Sequence, residues 1–260
     1  LSHSFNPNDG SYLWKGLIVG NVQSGKTATY TGLIGKAVDV GYRVILVMSG
    51  RMNSLRYQTQ SRISLQVIGS RELESIELDE EIESLTELNM HGDFAQYSPP
   101  PPPERMANIL RSDDDLILIG VVKKHWSPLS KFREWSEQIT QQFPEFSDYP
   151  FMLIDDEMDE AGPNTGGEET EHDPDEDGEI NQELEYRIGD NEDELQELQI
   201  NSPTTTNQMI TKLLKSKYFR KRMYVGFTAT PYAVILHSRR ELDSDEFEEY
   251  GPDIFPSNYL

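Results

Sequence analysis

Five short apolar runs rich in β-branched residues punctuate the chain: Gly16–Gly20 (GLIVG), Arg43–Met48 (RVILVM), Leu116–Val122 (LILIGVV), Phe151–Ile154 (FMLI) and Met223–Phe227 (MYVGF). None alternates polar with apolar, so each predicts a strand covered on both faces, as in a parallel sheet. Between them, helix-like stretches cover about 26–40, 53–65, 128–140 and 206–217. Strand and helix in alternation predict a doubly wound α/β domain: a mostly parallel sheet with helices on both faces.

Two stretches interrupt this pattern. Ser98 is followed by Pro99–Pro103, which predicts a stiff polyproline loop over 98–103, a surface spacer rather than packed structure. From Asp155 to Ile200 there are 20 acidic residues and one basic residue, Arg187. Aliphatic residues are almost missing between Glu168 and Leu184, so 160–200 is expected to be a solvated, disordered insertion. One domain over 1–260 is expected, with its core in about 12–155 and 203–236. The chain opens on Leu1 rather than Met, and is expected to be a piece of something longer.

Charge changes the picture only once it is localised. The 260 residues hold 23 Lys and Arg against 46 Asp and Glu, a formal charge of −23. Spread evenly, that charge would oppose binding to phosphate backbones, which needs cations to displace counterions. Outside 155–200, however, the other 214 residues carry 26 acids and 22 bases, a balance of −4. The absence of Cys excludes disulfide scaffolds, cysteine-held zinc and thiol catalysis. His3, His91, His125, His172 and His237 form no pair at metal-ligand spacing. No apolar run reaches signal-peptide or membrane-span length, so a soluble, cytoplasmic protein without a membrane partner is expected.

Candidate chemistry begins directly after the first strand. Gly20-Asn-Val-Gln-Ser-Gly25-Lys26-Thr27 satisfies GxxxxGK[ST], with a strand before it and a helix after it. Gly20 and Gly25 let backbone N–H groups wrap a phosphate, and the helix start offers its positive dipole end. Lys26 can reach the β- and γ-phosphates, and the Thr27 hydroxyl can ligate Mg²⁺. A glycine turn that merely reversed the chain would not need Lys and Thr together.

The fourth strand runs straight into Asp155-Asp156-Glu157-Met158-Asp159, at the end of the strand where α/β sheets bind ligands. Read as DExD, Asp156 holds the metal, Glu157 polarises the attacking water and Asp159 is a coupling residue. A register one residue earlier gives those first two roles to Asp155 and Asp156; the first reading is favoured. A purely structural reading, in which the carboxylates only begin the acidic insertion, leaves the apolar strand before them unexplained.

With Thr228-Ala-Thr-Pro231 after the last strand, the motif order resembles the first RecA-like domain of superfamily two helicases and translocases, and so a P-loop NTPase. More narrowly, Gly20–Ile34, Asn53–Gln60, Asp155–Asp159 and Tyr224–Ala233 resemble the Z-one domain family, which is labelled an endonuclease and found in bacterial restriction-like and phage-defence gene sets. The likeness spans roughly Tyr12 to Leu236. It implies ATP phosphates on Gln23, Ser24, Gly25 and Lys26, Mg²⁺ through Thr27 and Asp156, and hydrolysis assisted by Glu157. Thr228 and Thr230 would transmit the state of the γ-phosphate. Met158 departs from the small residue usual at its position. The residues from Tyr232 to Leu260 are expected to hold no second RecA-like domain with an arginine finger, a group that contributes about 10³ to 10⁵ in rate. This chain alone is therefore expected to bind ATP but turn it over slowly, with a second RecA-like domain and a nuclease subunit as its protein partners.

Nucleic-acid contacts, to DNA or RNA, are expected at Arg51, Arg56 and Arg62 after the second strand. Lys123 and Trp126 follow the third strand, where Trp126 could stack on a base. A third cluster, Lys212, Lys215, Lys217, Arg220, Lys221 and Arg222, flanks Tyr218 and Phe219. The plainer reading of each cluster is that its cations complement a helix C-terminus or the acidic insertion. Three functions stay open: an ATP-driven motor or remodelling domain, a nucleotide-gated module regulating a partner nuclease, and an endonuclease in its own right. Common restriction-type nucleases need an acidic residue one position before a Lys. The nearest lysines after the carboxylates here are Lys212 and Lys215, in a helix-like stretch.

Overall fold

The computed structural model describes residues 10–20, 26–68, 82–94, 98–112, 116–156, 158, 205–229 and 258–259. Among them the strands are β1 (Tyr12–Val19), β2 (Val44–Ser49), β3 (Ile82–Ser84), β4 (Ile117–Lys123), β5 (Phe151–Asp156), β6 (Lys221–Thr228) and β7 (Asn258–Tyr259). They form one sheet in the order β3-β4-β2-β5-β6-β1-β7, with every adjacent pair parallel. The helices are α1 (Lys26–Asp39), α2 (Asn53–Ile63), α3 (Pro103–Ser112), α4 (Trp126–Gln142) and α5 (Thr205–Leu214). The domain is thus α/β with a parallel sheet, and the five strands and four helices expected from the apolar pattern are all present.

Period-two alternation sorts the strand residues into two cores. Val44, Leu46 and Met48 of β2 join Phe151 and Leu153 of β5 in one core, against α3, α4 and α5. Ile45 and Val47, with Met152 and Ile154, join the other, against α1 and α2. Connections through α1 and α2 carry the chain toward the β3 edge, and those through α3, α4 and α5 carry it back. Opposite directions on opposite faces are what a single crossover hand requires.

The larger core is aromatic. Phe132 of α4 stacks near Phe94, Phe151 and Phe219 at centroid separations of 6.3, 5.7 and 6.1 Å. α1 ends in a glycine-dependent cap. Gly41 has φ +94°, and the N–H groups of Gly41 and Tyr42 return to the carbonyls of Val38 and Ala37. This is the two-bond pattern that a left-handed residue permits at a helix end.

The proline run departs from the expected free-standing spacer. Pro103 is the first residue of α3, a position where the missing N–H costs nothing. The carbonyl of Pro101 accepts from Trp135 Nε1 at 2.7 Å, which ties the run to α4. Gln23, Ser24, Gly25, Glu157, Asp159, Thr230 and the acidic stretch 160–200 lie outside the described residues.

Candidate functional site

The C-terminal ends of β4, β2, β5, β6 and β1 share one edge of the sheet. Registers pair Ser49 with Lys123, Met48 with Asp155, Asp156 with Phe227, and Val19 with Thr228. Phe227 also pairs with Ile18, so Asp156 stands level with the end of β1, two strands away. At the usual strand spacing that separation is about 10 Å. Gly20 leaves β1 with its N–H on the Thr228 carbonyl at 3.0 Å. α1 then begins at Lys26 and Thr27.

Strand parity separates the two adjacent carboxylates. Asp156 shares its side of the sheet with Met152 and Ile154, the face that α1 covers. Asp155 shares its side with Phe151 and Leu153, facing α4 and α5. There it is buried, with Lys124 Nζ at 2.9 Å from Oδ1 and the Tyr224 hydroxyl donating to Oδ2 at 2.7 Å. Burial and the Asp155 charge push the Tyr224 hydroxyl well above its ordinary pKa, so it stays a proton donor. Asp156 is half-buried at the rim.

Met158 fastens the turn beyond β5. Its N–H donates to the Phe227 carbonyl at 2.7 Å, and its side chain lies over Gly226. A Cβ on Gly226 would sit 2.3 Å from Met158 Sδ, so the bulk of Met158 is matched by a missing side chain on β6. Thr228 is fully buried, on the same side of β6 as Tyr224.

The basic residues divide sharply by environment. Arg51 and Arg62 are exposed, and Trp126 is half-buried at the start of α4 beside His125, whose ring accepts the Ser127 N–H. Arg56 and Lys123 differ from the expectation of a solvent-facing phosphate contact. The Arg56 guanidinium is buried and donates to the carbonyls of Val121, Glu87 and Asn89, with burial lowering its pKa. Lys123 is buried, and its N–H donates to Asp93 Oδ2 at 3.0 Å. With Thr86 Oγ1 accepting the Val121 N–H at 2.9 Å, these groups seal the end of β4 beyond the short β3 pairing. A sheet edge closed by side chains has no open backbone groups to recruit another strand.

The third basic cluster is also split. Arg220 pairs with Asp148, Arg222 donates to the Leu214 and Ser216 carbonyls at the end of α5, and Phe219 is core. Lys212, Lys215 and Lys217 instead line a groove of about 470 Å³ with Arg133 of α4 and Tyr218. This groove lies by the start of β6, at the opposite end of the sheet from the carboxylates.

No family model, curated protein or solved structure matches this chain. The residues themselves therefore carry the functional reading. In the sequence Lys124 stands only as part of the basic run 123–126 and Tyr224 only as part of the last strand's motif, neither as a partner of Asp155, and Asp93 carries no mark at all. A lysine one position past a buried strand and an aspartate ending another on the same side was the available signal for the first pair. Among the described residues, no helix is long and apolar enough to cross a membrane.

Proposed function

We propose that this chain is a RecA-like ATPase domain of the superfamily two helicase type, coupling ATP hydrolysis to translocation along, or remodelling of, nucleic acid in a prokaryotic defence protein. The observation that carries the reading is the arrangement around β6. The strand leading into the phosphate-loop sequence and the strand ending in Asp156 flank it, with Asp156 on the face that α1 covers. A span of about 10 Å between the two strand ends suits a bound triphosphate and its metal.

The donor chemistry fits the group implied. Asp156 offers hard carboxylate oxygen at the rim, Thr27 offers a hydroxyl at the helix start, and Asp155 is withdrawn into its ion pair. Bound Mg²⁺ would neutralise phosphate charge as the terminal bond breaks. Gln23, Ser24, Gly25 and Lys26 would bind the phosphates, while Gly20, its N–H held by the Thr228 carbonyl, would start the turn that leads to them. Glu157 would accept the proton of the attacking water, and Asp159, Thr228 and Thr230 would relay the γ-phosphate state. Arg51, Arg62 and Trp126 are the solvent-reaching candidates for nucleic acid.

The test is ATP hydrolysis by the full chain with and without single- and double-stranded DNA, beside Lys26→Ala and Glu157→Gln. The reading expects slow hydrolysis that both variants abolish, with DNA stimulation. Hydrolysis unaffected by Lys26→Ala would remove the ATPase, and DNA cleavage by that variant without ATP would favour the endonuclease.

A further inference from the structure

Lys124 and Asp155 come from strands that do not touch: Lys124 follows β4, Asp155 lies in β5, and β2 runs between them. The Lys124 N–H rests on the Ser49 carbonyl of β2 at 3.0 Å while its ammonium reaches across to Asp155 Oδ1 at 2.9 Å. Tyr224, from β6 on the other flank, takes the second carboxylate oxygen at 2.7 Å. Both members of the ion pair are 1% exposed and the tyrosine is fully buried. Apolar residues of similar volume commonly stabilise such a position as well or better, so a buried pair is weak evidence for a role in stability. What the two donors do is hold both carboxylate oxygens of the residue immediately before Asp156.

We propose that Lys124 and Tyr224 are positioning residues for the ATPase site. By clamping Asp155 on the α4 face of β5, they fix the backbone from which Asp156 is presented on the α1 face, and they keep a second carboxylate from competing for the metal. The proposal rests on the ATPase reading above. Neither residue touches nucleotide or metal; both act through Asp155. Because successive strand residues face opposite ways, a rotation of Asp155 out of the clamp turns Asp156 with it. The clamp also joins β4, whose end leads to Trp126, to the strand that carries the carboxylates.

The test uses the full chain and three variants: Lys124→Met, Tyr224→Phe and the charge-neutral double variant Lys124→Met with Asp155→Asn. Mn²⁺ binding in the presence of ATP is read by the loss of the free-ion paramagnetic resonance signal, and ATP hydrolysis is followed against Mg²⁺ concentration. Groups that orient a metal ligand from behind typically change affinity or activity by about 10- to 100-fold. Lys124→Met is expected to weaken Mn²⁺ binding and raise the half-saturating Mg²⁺ by that factor, with a smaller shift for Tyr224→Phe. Binding of a fluorescent ATP analogue without metal should stay within about twofold, because Lys26 and the phosphate loop are untouched. The double variant leaves no buried unpaired charge, so it should melt near wild type and yet keep the metal defect.

A merely structural role would lower the yield of folded protein without moving the metal dependence. Normal Mn²⁺ and Mg²⁺ dependence in folded Tyr224→Phe and double variants would overturn the proposal. If the wild type hydrolyses ATP through Lys26 and these variants match it, only the positioning role falls. If the wild type neither binds nor hydrolyses ATP, the ATPase reading and the positioning role fall together.

Discussion

Tyr30 meets Phe227 edge-on, with ring centroids 5.8 Å apart and planes at 81°. Tyr30 stands one turn into α1, three residues after Thr27, and Phe227 is the strand neighbour of Asp156. One aromatic contact therefore brings the start of α1 to the rim carboxylate. Such pairs contribute about 0.5–1.5 kcal/mol beyond their area burial. Tyr30→Ala should destabilise the domain by roughly 3–5 kcal/mol in urea unfolding, in the range of aromatic truncations in cores. Phe227→Leu, with a cost of about 1.5 kcal/mol, should also weaken ATP binding. Phe146→Leu, buried in the opposite core, serves as a control of similar cost. Equal ATP affinity in these two leucine variants would show that the contact does not seat α1 for nucleotide.

Gly226 and Met158 form a second matched pair, because the methionine occupies the space a β6 side chain would take. Gly226→Ala should displace Met158 and loosen the turn that follows Asp156, with an overpacking cost of about 1–3 kcal/mol. Met158→Ala alone opens a void. In combination the two alanines should recover part of the loss, giving a favourable coupling in a double-mutant cycle of urea midpoints. Strict additivity would mean that the methionine does not depend on the missing Cβ.

The legible part of this fold was its interior. Apolar runs marked β2, β4, β5 and the later part of β6 because those stretches are buried almost throughout, whereas the run in β1 marks a partly covered strand in which only Leu17 is buried. β3 and β7 left no such trace, having three and two residues at the sheet margins. α3 was hidden by its own start, since Pro103 belongs to the proline run, and only Met106, Ala107 and Leu110 mark its buried side. The four residues Tyr12–Lys15 extend β1 ahead of its apolar run, paired in register with Lys221–Tyr224, and Leu13 packs partly buried against the larger core. At the candidate site, the GxxxxGK[ST] pattern of Gly20–Thr27 is legible as residue types at fixed spacing. The Lys124–Asp155 pair is not, because it exists only once β2 lies between β4 and β5. Arg56 and Lys123 show the converse: a cation in sequence carries no mark of whether its charge meets solvent or the inside of the fold.

That contrast yields a third prediction. Arg56→Met removes the donor from the Val121 carbonyl in a buried setting, where an acceptor left unsatisfied costs about 1–3 kcal/mol, and from the Glu87 and Asn89 carbonyls in part-buried ones, where water can take over. The variant should unfold at markedly lower urea. Arg51→Ala and Arg62→Ala sit at exposed positions and should stay within about 0.5 kcal/mol of wild type. If these two arginines meet phosphates, each substitution should reduce the salt dependence of DNA binding by about one counterion. Arg56→Met, compared where it remains folded, should leave that slope unchanged. A stable Arg56→Met protein with a reduced slope would reverse the assignment.

Asp93 predicts a pH effect of unusual sign. Burial pushes its carboxyl above the ordinary value of 3.8, against the opposing pull of the Lys123 backbone N–H and the Lys123 and Arg56 charges. A carboxyl that holds its proton more tightly in the folded state makes folding take up protons between the unfolded and folded pKa values. Stability contributed by this group is therefore present at low pH and is lost as pH rises from about 3.8 through the raised folded value. Paired or hydrogen-bonded carboxylates with lowered pKa values act the other way. Asp93→Asn keeps an oxygen to accept the Lys123 N–H and removes the charge whose burial is costly. The variant is expected to be at least as stable as wild type near neutral pH, and to gain relative to wild type as pH rises through that window. Urea midpoints measured from pH 3.5 to 7.5 decide it: a stability difference that stays flat with pH, or an Asn variant that falls further behind as pH rises, would mean that the folded state does not raise the Asp93 pKa.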